Sequence, residues 1–278
     1  MGRRLSAPRI AGTYLLLLLY YGFFLIPMLW IVLQSFKTSA GIFSGRLIPR
    51  LSDLTFSSYQ QVWQTANFPT FFRNSTVIAL GVTAVSVVVS ALGAYGLSKY
   101  RIRGRRAFVV AVLASQMFPP ILILVPFYTT VQALGLNDTY LGIILAHIVL
   151  ALPFCLWMFK SYIDAVPSTL IEAGLVDGCS RLGAFLRIVL PTSFSGLAVV
   201  AFYAFTVSWG DYLFVSIVSG SDRTATMPLY IYRISTSLQL QWGVIAAASV
   251  LTILPVVIIF AFVQRWLVEG LLAGAVKG

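Results

Sequence analysis

Charge is what this sequence has least of. Only 10% of its 278 residues are charged, eight of them acidic, where a soluble domain carries about 25%. A chain this poor in charge has too few polar groups to cover its own surface in water. With 59% hydrophobic residues and a mean hydropathy of +0.92, it reads as an integral membrane protein. There is one histidine and there are two cysteines, Cys155 and Cys179. Their spacing fits neither a metal site nor a disulfide framework, so two free thiols are expected, with no metal and no catalytic residue. The phosphate loop G-x-x-x-x-G-K-[ST] is missing, so this chain has no such cradle for ATP. The net charge of +11 does not argue for nucleic acid. The one dense basic run, "KYRIRGRR" (Lys99 to Arg106), lies between apolar segments without the soluble fold of a nucleic-acid reader.

What is abundant is long apolar sequence. About 20 apolar residues span the hydrocarbon of a bilayer, and six segments qualify: Gly12–Leu33, Phe72–Ser98, Ala107–Val131, Tyr140–Phe159, Ser193–Val218 and Trp242–Val263. The alternating period of a barrel is absent, which leaves a helical bundle. The first segment superficially resembles a signal peptide. It exceeds the usual apolar length of about 7–15 residues and no small-x-small cleavage site comes after it, so an uncleaved first span is expected.

Placing the N-terminus in the cytoplasm assigns thirteen Lys and Arg to inner segments and six to outer ones. The inner set is Arg3, Arg4, Arg9, Lys99, Arg101, Arg103, Arg105, Arg106, Lys160, Arg181, Arg187, Arg265 and Lys277. This asymmetry predicts both termini inside a cytoplasmic membrane. The expected division is 1–71 (N-terminal segment, first span and outer loop), 72–263 (transmembrane core) and 264–278 (cytoplasmic tail).

Ala84, Ser90, Ala91, Gly93, Ala94 and Gly96 in the second segment are small enough for a neighbouring helix to approach closely. Two ionisable residues fall inside spans, His147 in "LAHIVLALP" and Asp211 in "VSWGDYLF". Such residues are candidates for a translocation path. The packing alternatives are an imidazole that bridges helices and an interfacial acid beside a break at Gly210. Two isolated groups make a thin proton relay. Pro27, Pro119, Pro120, Pro126, Pro153 and Pro255 mark places where spans can kink.

Between the fourth and fifth segments lies "VPSTLIEAGLVDGCSRLGAFLRIVLP", Val166 to Pro191. Thr169 and Glu172 have capping-box spacing, which predicts a helix starting near Ser168 or Thr169. Gly178 stands where a left-handed residue would end it. A second helix from Ser180 carries Leu182, Phe185, Leu186 and Val189 as one apolar stripe, and Pro191 closes the segment. Two ordered helices outside the membrane suit a protein-docking loop; a plain structural connector has the same local pattern.

"EAGLVDGCSRLGAFLRIVLP" resembles the signature loop of permease subunits of binding-protein-dependent ABC importers: E-A-A, three residues, G, nine residues, I-x-L-P. Glu172, Ala173, Gly178, Ile188, Leu190 and Pro191 match it, and Gly174 stands in place of the third-position alanine. "NSTVIALGVTAVSVVVSALGAYGLSKYRIRGRR", "MFPP" and the ending "QRWLVEGLLAGAVKG" are similar to stretches of carbohydrate-uptake members of the maltose-transporter type. The resemblance implies an all-α, six-span type I importer permease fold with a cytoplasmic coupling-helix loop. It implies a second permease subunit, a different chain, and two nucleotide-binding ATPase subunits that use ATP and Mg. It also implies an extracytoplasmic substrate-binding protein, and neither a cofactor on this chain nor a nucleic-acid partner. Thr169, Glu172, Ala173, Gly174, Asp177, Gly178, Ile188, Leu190 and Pro191 would then form the coupling loop, small Ala173 and Gly174 permitting close approach of the ATPase. The cargo would be a sugar or oligosaccharide. Another polar solute, such as a glycerol phosphate ester, is an alternative, as is an ion-coupled secondary transporter with inverted repeats, of which no clear trace is found.

Overall fold

The computed structural model describes residues 7–65 and 67–275. Arg3, Arg4 and Lys277 of the charge balance lie outside the described residues. Fourteen α-helical segments are described, and the strand-like pairing among the described residues is one isolated bridge, Lys37 with Leu54. The structure divides into two compact units. One comprises Met1–Phe68 with Ile231–Ile253, the other Pro69–Tyr230 with Leu254–Gly278.

The first unit holds α1 (Ala7–Ser35), α2 (Ser39–Phe43), α3 (Ser57–Thr65) and the start of α14 (Trp242–Ala275). No residue in the most apolar window of α1 is buried within the chain. A helix apolar on all faces is at home in lipid or against another membrane helix. Past its end the chain turns on Lys37, which is buried. Its Nζ donates to the Arg46 carbonyl at 2.9 Å and lies 5.1 Å from the Trp30 ring centroid, so one carbonyl and one aromatic face compensate its desolvation.

The second unit carries most of the bundle: α4 (Phe68–Lys99), α5 (Arg105–Ser115), α6 (Pro120–Ala133) and α7 (Tyr140–Ala165). It continues with α8 (Ser168–Val176), α9 (Arg181–Ala184), a π-helical turn (Phe185–Val189) and α10 (Leu190–Thr192). Then come α11 (Phe194–Gly210), α12 (Leu213–Val218) and α13 (Met227–Ser235), which runs out of this unit. Several of the small residues of α4 act as expected, though Gly96 has no atom within 4 Å of where its Cβ would lie. Ser90, Ala91 and Ala94 are buried, and a Cβ on Gly93 would stand 2.9 Å from Leu156 Cδ1 of α7. Ala84, by contrast, is exposed.

Among the described residues four helices, α1, α4, α7 and α14, are each long and apolar enough to cross a membrane, and the total reaches six when two bent pairs count as spans. The expected third span is therefore not one straight helix: α5 and α6 meet at 95°. The cause is the "MFPP" stretch. Pro119 and Pro120 bring no amide hydrogens to the ladder, and the residue before a proline is pushed out of the helical region. Four other prolines, Pro27, Pro126, Pro153 and Pro255, are accommodated inside helices. The expected fifth span is interrupted too. Its first helix, α11, runs for 17 residues, or about 25 Å at 1.5 Å each, ends at Gly210, and the chain resumes as α12 at Leu213.

Candidate functional site

The loop between α7 and α11 forms one ordered body. α8 begins at Ser168 as expected, but the capping box does not form. Pro167 occupies the N-cap with φ −60°, and no side chain bonds the first turn. Thr169 is thus the second helical residue, one turn position too late to cap. The other end agrees with the sequence. Gly178 has φ +86°. The Cys179 amide donates to the Gly174 carbonyl at 2.9 Å and the Gly178 amide to the Leu175 carbonyl at 3.1 Å, the paired bonds of a Schellman termination. Ser180 caps the next helix, accepting from the Gly183 amide at 3.0 Å.

This body is fastened to the ends of α4 and α7. Tyr95 packs tilted against Phe185, 4.8 Å between centroids, and donates to the Arg181 carbonyl at 3.3 Å. Arg181 lies over the Tyr100 ring at 5.4 Å, and Lys99 Nζ donates to the Val166 carbonyl at 2.6 Å. Asp164, one turn before the loop, takes Ser98 Oγ at 2.6 Å and Lys160 Nζ at 2.5 Å.

The faces differ from expectation in two respects. The anticipated stripe of the second helix is split. Ala184, Phe185 and Val189 are buried, while Leu182 and Leu186 are exposed, because Phe185 turns toward Tyr95 and the π turn changes the angular spacing of the residues after it. Pro191 does not end the segment either; the helix continues to Thr192 and breaks at Ser193, beyond which α11 leaves at 79° to the preceding run. Leu190 is half-buried and Pro191 exposed.

In α8 itself Thr169, Glu172, Ala173 and Val176 are exposed, at the i, i+3, i+4, i+7 spacing of one helical face. Val176 is 88% exposed. Glu172 makes no ion pair among the described residues. Asp177 occupies the C-cap and is exposed beside the same face. Ile171 and Gly174 form the buried face. Gly174 therefore does not serve close approach by a partner: it packs inward, and Ile188 Cδ1 fills the place where its Cβ would be.

The bundle brings the two ionisable residues of the spans together. His147, on α7, is fully buried. Its Nε2 lies 3.1 Å from Asp211 Oδ1 and its Nδ1 lies 2.8 Å from Ser208 Oγ. Asp211 is the break residue between α11 and α12, with extended backbone (φ −71°, ψ 127°). The same Oδ1 accepts from the Phe214 amide at 3.0 Å and the Val215 amide at 3.3 Å, capping α12. These are not two isolated groups but one cluster with Ser208, which sequence reading missed. Ser208 and Asp211 are three apart, a visible clue, but nothing local reveals a histidine more than sixty residues away.

Asp138 was missed as well. It sits at φ +53° in the turn before α7. Its Oδ1 accepts from the amides of Gly220 at 3.1 Å and Ser221 at 3.2 Å and from Thr224 Oγ1 at 2.5 Å; Oδ2 accepts from Ser221 Oγ at 2.6 Å. Desolvation pushes this carboxyl up, yet the bonds from Ser221, Thr224 and the two amides outweigh it and hold it below its ordinary value. No group of three or more His, Cys, Asp or Glu among the described residues is placed to hold a metal.

Residues 86–272, two thirds of the chain, match the family described as binding-protein-dependent transport system inner membrane component. The chain belongs to that family. This inner membrane component is 36% identical over 271 residues to the inner membrane ABC transporter permease protein YcjP of Escherichia coli (strain K12), covering 96% of each. It is 32% identical over 262 residues to the trehalose transport system permease protein SugB of Mycobacterium tuberculosis, covering 94% of this chain and 95% of the relative. It is 31% identical over 252 residues to the diacetylchitobiose uptake system permease protein DasC of Streptomyces coelicolor, covering 91% of each. Its fold matches a chain of a bacterial ABC transporter involved in import of the acidic polysaccharide alginate, with a TM-score of 0.82 at 23% identity over 95% of this chain and 99% of that one. The permease is a multi-pass membrane protein with the type I importer fold.

Proposed function

We propose that this permease subunit carries a sugar or oligosaccharide across the cytoplasmic membrane. Its energy comes from two separate nucleotide-binding ATPase subunits, which use ATP and Mg and engage the 168–190 loop. A second, different permease chain completes the path, and an extracytoplasmic binding protein delivers the cargo. The observation that carries this reading is the outward face of α8: Thr169, Glu172, Ala173 and Val176 stand exposed on a body anchored to α4 and α7. An exposed apolar side chain beside an unpaired carboxylate, on a rigid support, suits a partner's cleft. Gly174, Gly178 and Ile188 shape that support from within, while Leu190 and Pro191 lead it back to the membrane.

The cargo class is that of the relatives, whose names specify trehalose and diacetylchitobiose. A neighbour of 16% identity was solved with an alginate pentasaccharide-bound periplasmic protein, which supports the binding-protein partner. Thirteen cytoplasmic basic residues against six outside support inward-facing termini and an inward-facing loop. In this arrangement Asp211 stands beside the translocation path and His147 behind it.

The test is purification of the complete complex, reconstitution in vesicles and a screen of sugars, each with the binding protein, for stimulated ATP hydrolysis. Stimulation by a defined carbohydrate is expected, with uptake that requires the ATPase. Uptake by the purified chain in the absence of any ATPase subunit would overturn the reading.

A further inference from the structure

The six residues of α12 are held at both ends by aspartates, by the side chain of one and the backbone amide of the other. At the first end, Asp211 caps α12 and contacts His147 of α7. At the second, the Val218 carbonyl accepts from the Asp138 amide at 2.9 Å, while the Asp138 side chain gathers the 220–224 loop. Asp138 precedes α7 and His147 lies on it, about 10 Å of helix rise beyond its first residue, Tyr140. Between these ends Phe214, Val215 and Val218 are buried, Phe214 meeting Phe127 of α6 edge-on at 5.5 Å. His147 also reaches Ser208, on the other side of the helix break. One buried imidazole therefore bonds a residue in the last turn of α11 and the residue at the break.

We propose that His147 is a positioning residue for transport, a clasp that fixes the angle between α11 and α12 so that the outer end of this span moves with α7. This rests on the transport reading above. An ionised carboxylate only accepts hydrogen bonds, so Nε2 donates to Asp211. Nδ1 lies against the Ser208 hydroxyl, which can donate or accept. Both ring nitrogens are thus bonded, as a polar network at membrane depth requires. The carboxylate in turn accepts from the two amides of α12. Apolar contacts alone would allow the 211–212 break to hinge; the directional bonds to both sides of it do not. The motion that coupling transmits into the bundle then reaches the outer end of the path as displacement rather than as bending.

Glutamine and asparagine at position 147 distinguish this role from simple packing. The amide nitrogen of glutamine falls near the position of Nε2 and keeps the donor to Asp211. That of asparagine falls near Nδ1 and cannot reach Asp211. The measurement is sugar taken up per ATP hydrolysed by the complete reconstituted complex, for wild type, H147Q, H147N and D211A. The expected outcome is a fall of about tenfold in this ratio for H147N and D211A, within the range of ordinary coupling losses, with H147Q close to wild type. The clasp is overturned if H147N equals H147Q, or if D211A retains the wild-type ratio. Should D211A fail to assemble, the Gln and Asn pair still decides. Failure of the transport reading would show separately, as ATP-independent uptake by the wild-type complex.

Discussion

Ile188 Cδ1 occupies the space where a Cβ on Gly174 would lie. These are the two motif positions fourteen residues apart that join the halves of the loop, and their contact gives the spacing a physical basis: α8 and the next helix are locked through a side chain seated on a glycine. Because the intruding atom is the free end of a flexible chain, alanine at 174 is accommodated by rotation of Ile188. It also gains helix propensity of up to about 1 kcal/mol. G174A is expected to leave complex stability within about 1 kcal/mol of wild type. G174V overpacks the contact and costs about 1–3 kcal/mol. I188A should restore much of that loss, so the two changes will be non-additive in thermal unfolding of the purified complex. Additive losses would mean that the contact does not bind the two helices.

Gly178 presents a different demand, conformational rather than spatial: no atom stands within 4 Å of a Cβ there, but φ is +86°. G178A should cost about 1–2 kcal/mol through left-handed strain alone. Asparagine, which visits this region more readily, should cost less. Hydrogen exchange at the Cys179 amide, whose bond to Gly174 closes the turn, provides the readout. Equal protection in G178A, G178N and wild type would refute the strain argument.

The legibility of this loop in the sequence was uneven for identifiable reasons. Gly178 was readable because left-handed backbone leaves a residue-type mark. The start of α8 was readable, but its cap was misassigned, since Pro167 and Thr169 both carry helix-start signals and only the folded chain separates them. The inward role of Gly174 was invisible, because it depends on Ile188, which meets it only after the chain has turned. Six apolar segments were legible from length, whereas the 95° bend at "MFPP" was not, since proline signals a kink without its magnitude. The His147–Ser208–Asp211 cluster depended on pairing two helices whose registry hydropathy does not encode.

Val176 comes after Glu172 on the outward stripe and is 88% exposed. If that stripe seats in a partner, V176D should weaken ATPase association by about tenfold or more, the loss typical of a buried anchor. E172R should act in the same direction, and both proteins should insert normally in the membrane. Leu238, exposed between α13 and α14 and outside the loop, provides the control: L238A should leave ATPase retention unchanged. Co-purification of the ATPase with tagged permease distinguishes these cases, and normal retention by V176D and E172R would sink the docking role of this face.

Asp138 gives a pH prediction whose sign can be worked out. Its carboxyl is held below the ordinary value despite desolvation, by bonds from Ser221, Thr224 and the backbone amides of Gly220 and Ser221. A depressed carboxylate contributes stability that is fully present above the unfolded pKa, about 3.9, and is lost as pH falls through the lower folded value. The anchor of the 220–224 loop is therefore intact at neutral pH and released only in acid below the ordinary carboxylate range. D138A removes the acceptor at every pH, so its destabilisation relative to wild type should be large at pH 7 and shrink as pH drops below that value. D138N keeps one acceptor oxygen and should lose less at pH 7. Hydrogen exchange at the Gly220 and Ser221 amides reports the anchor directly: protection should fall in D138A at pH 7 and in wild type only in acid. A difference between D138A and wild type that does not narrow in acid would show that the ionised form is not what holds the loop.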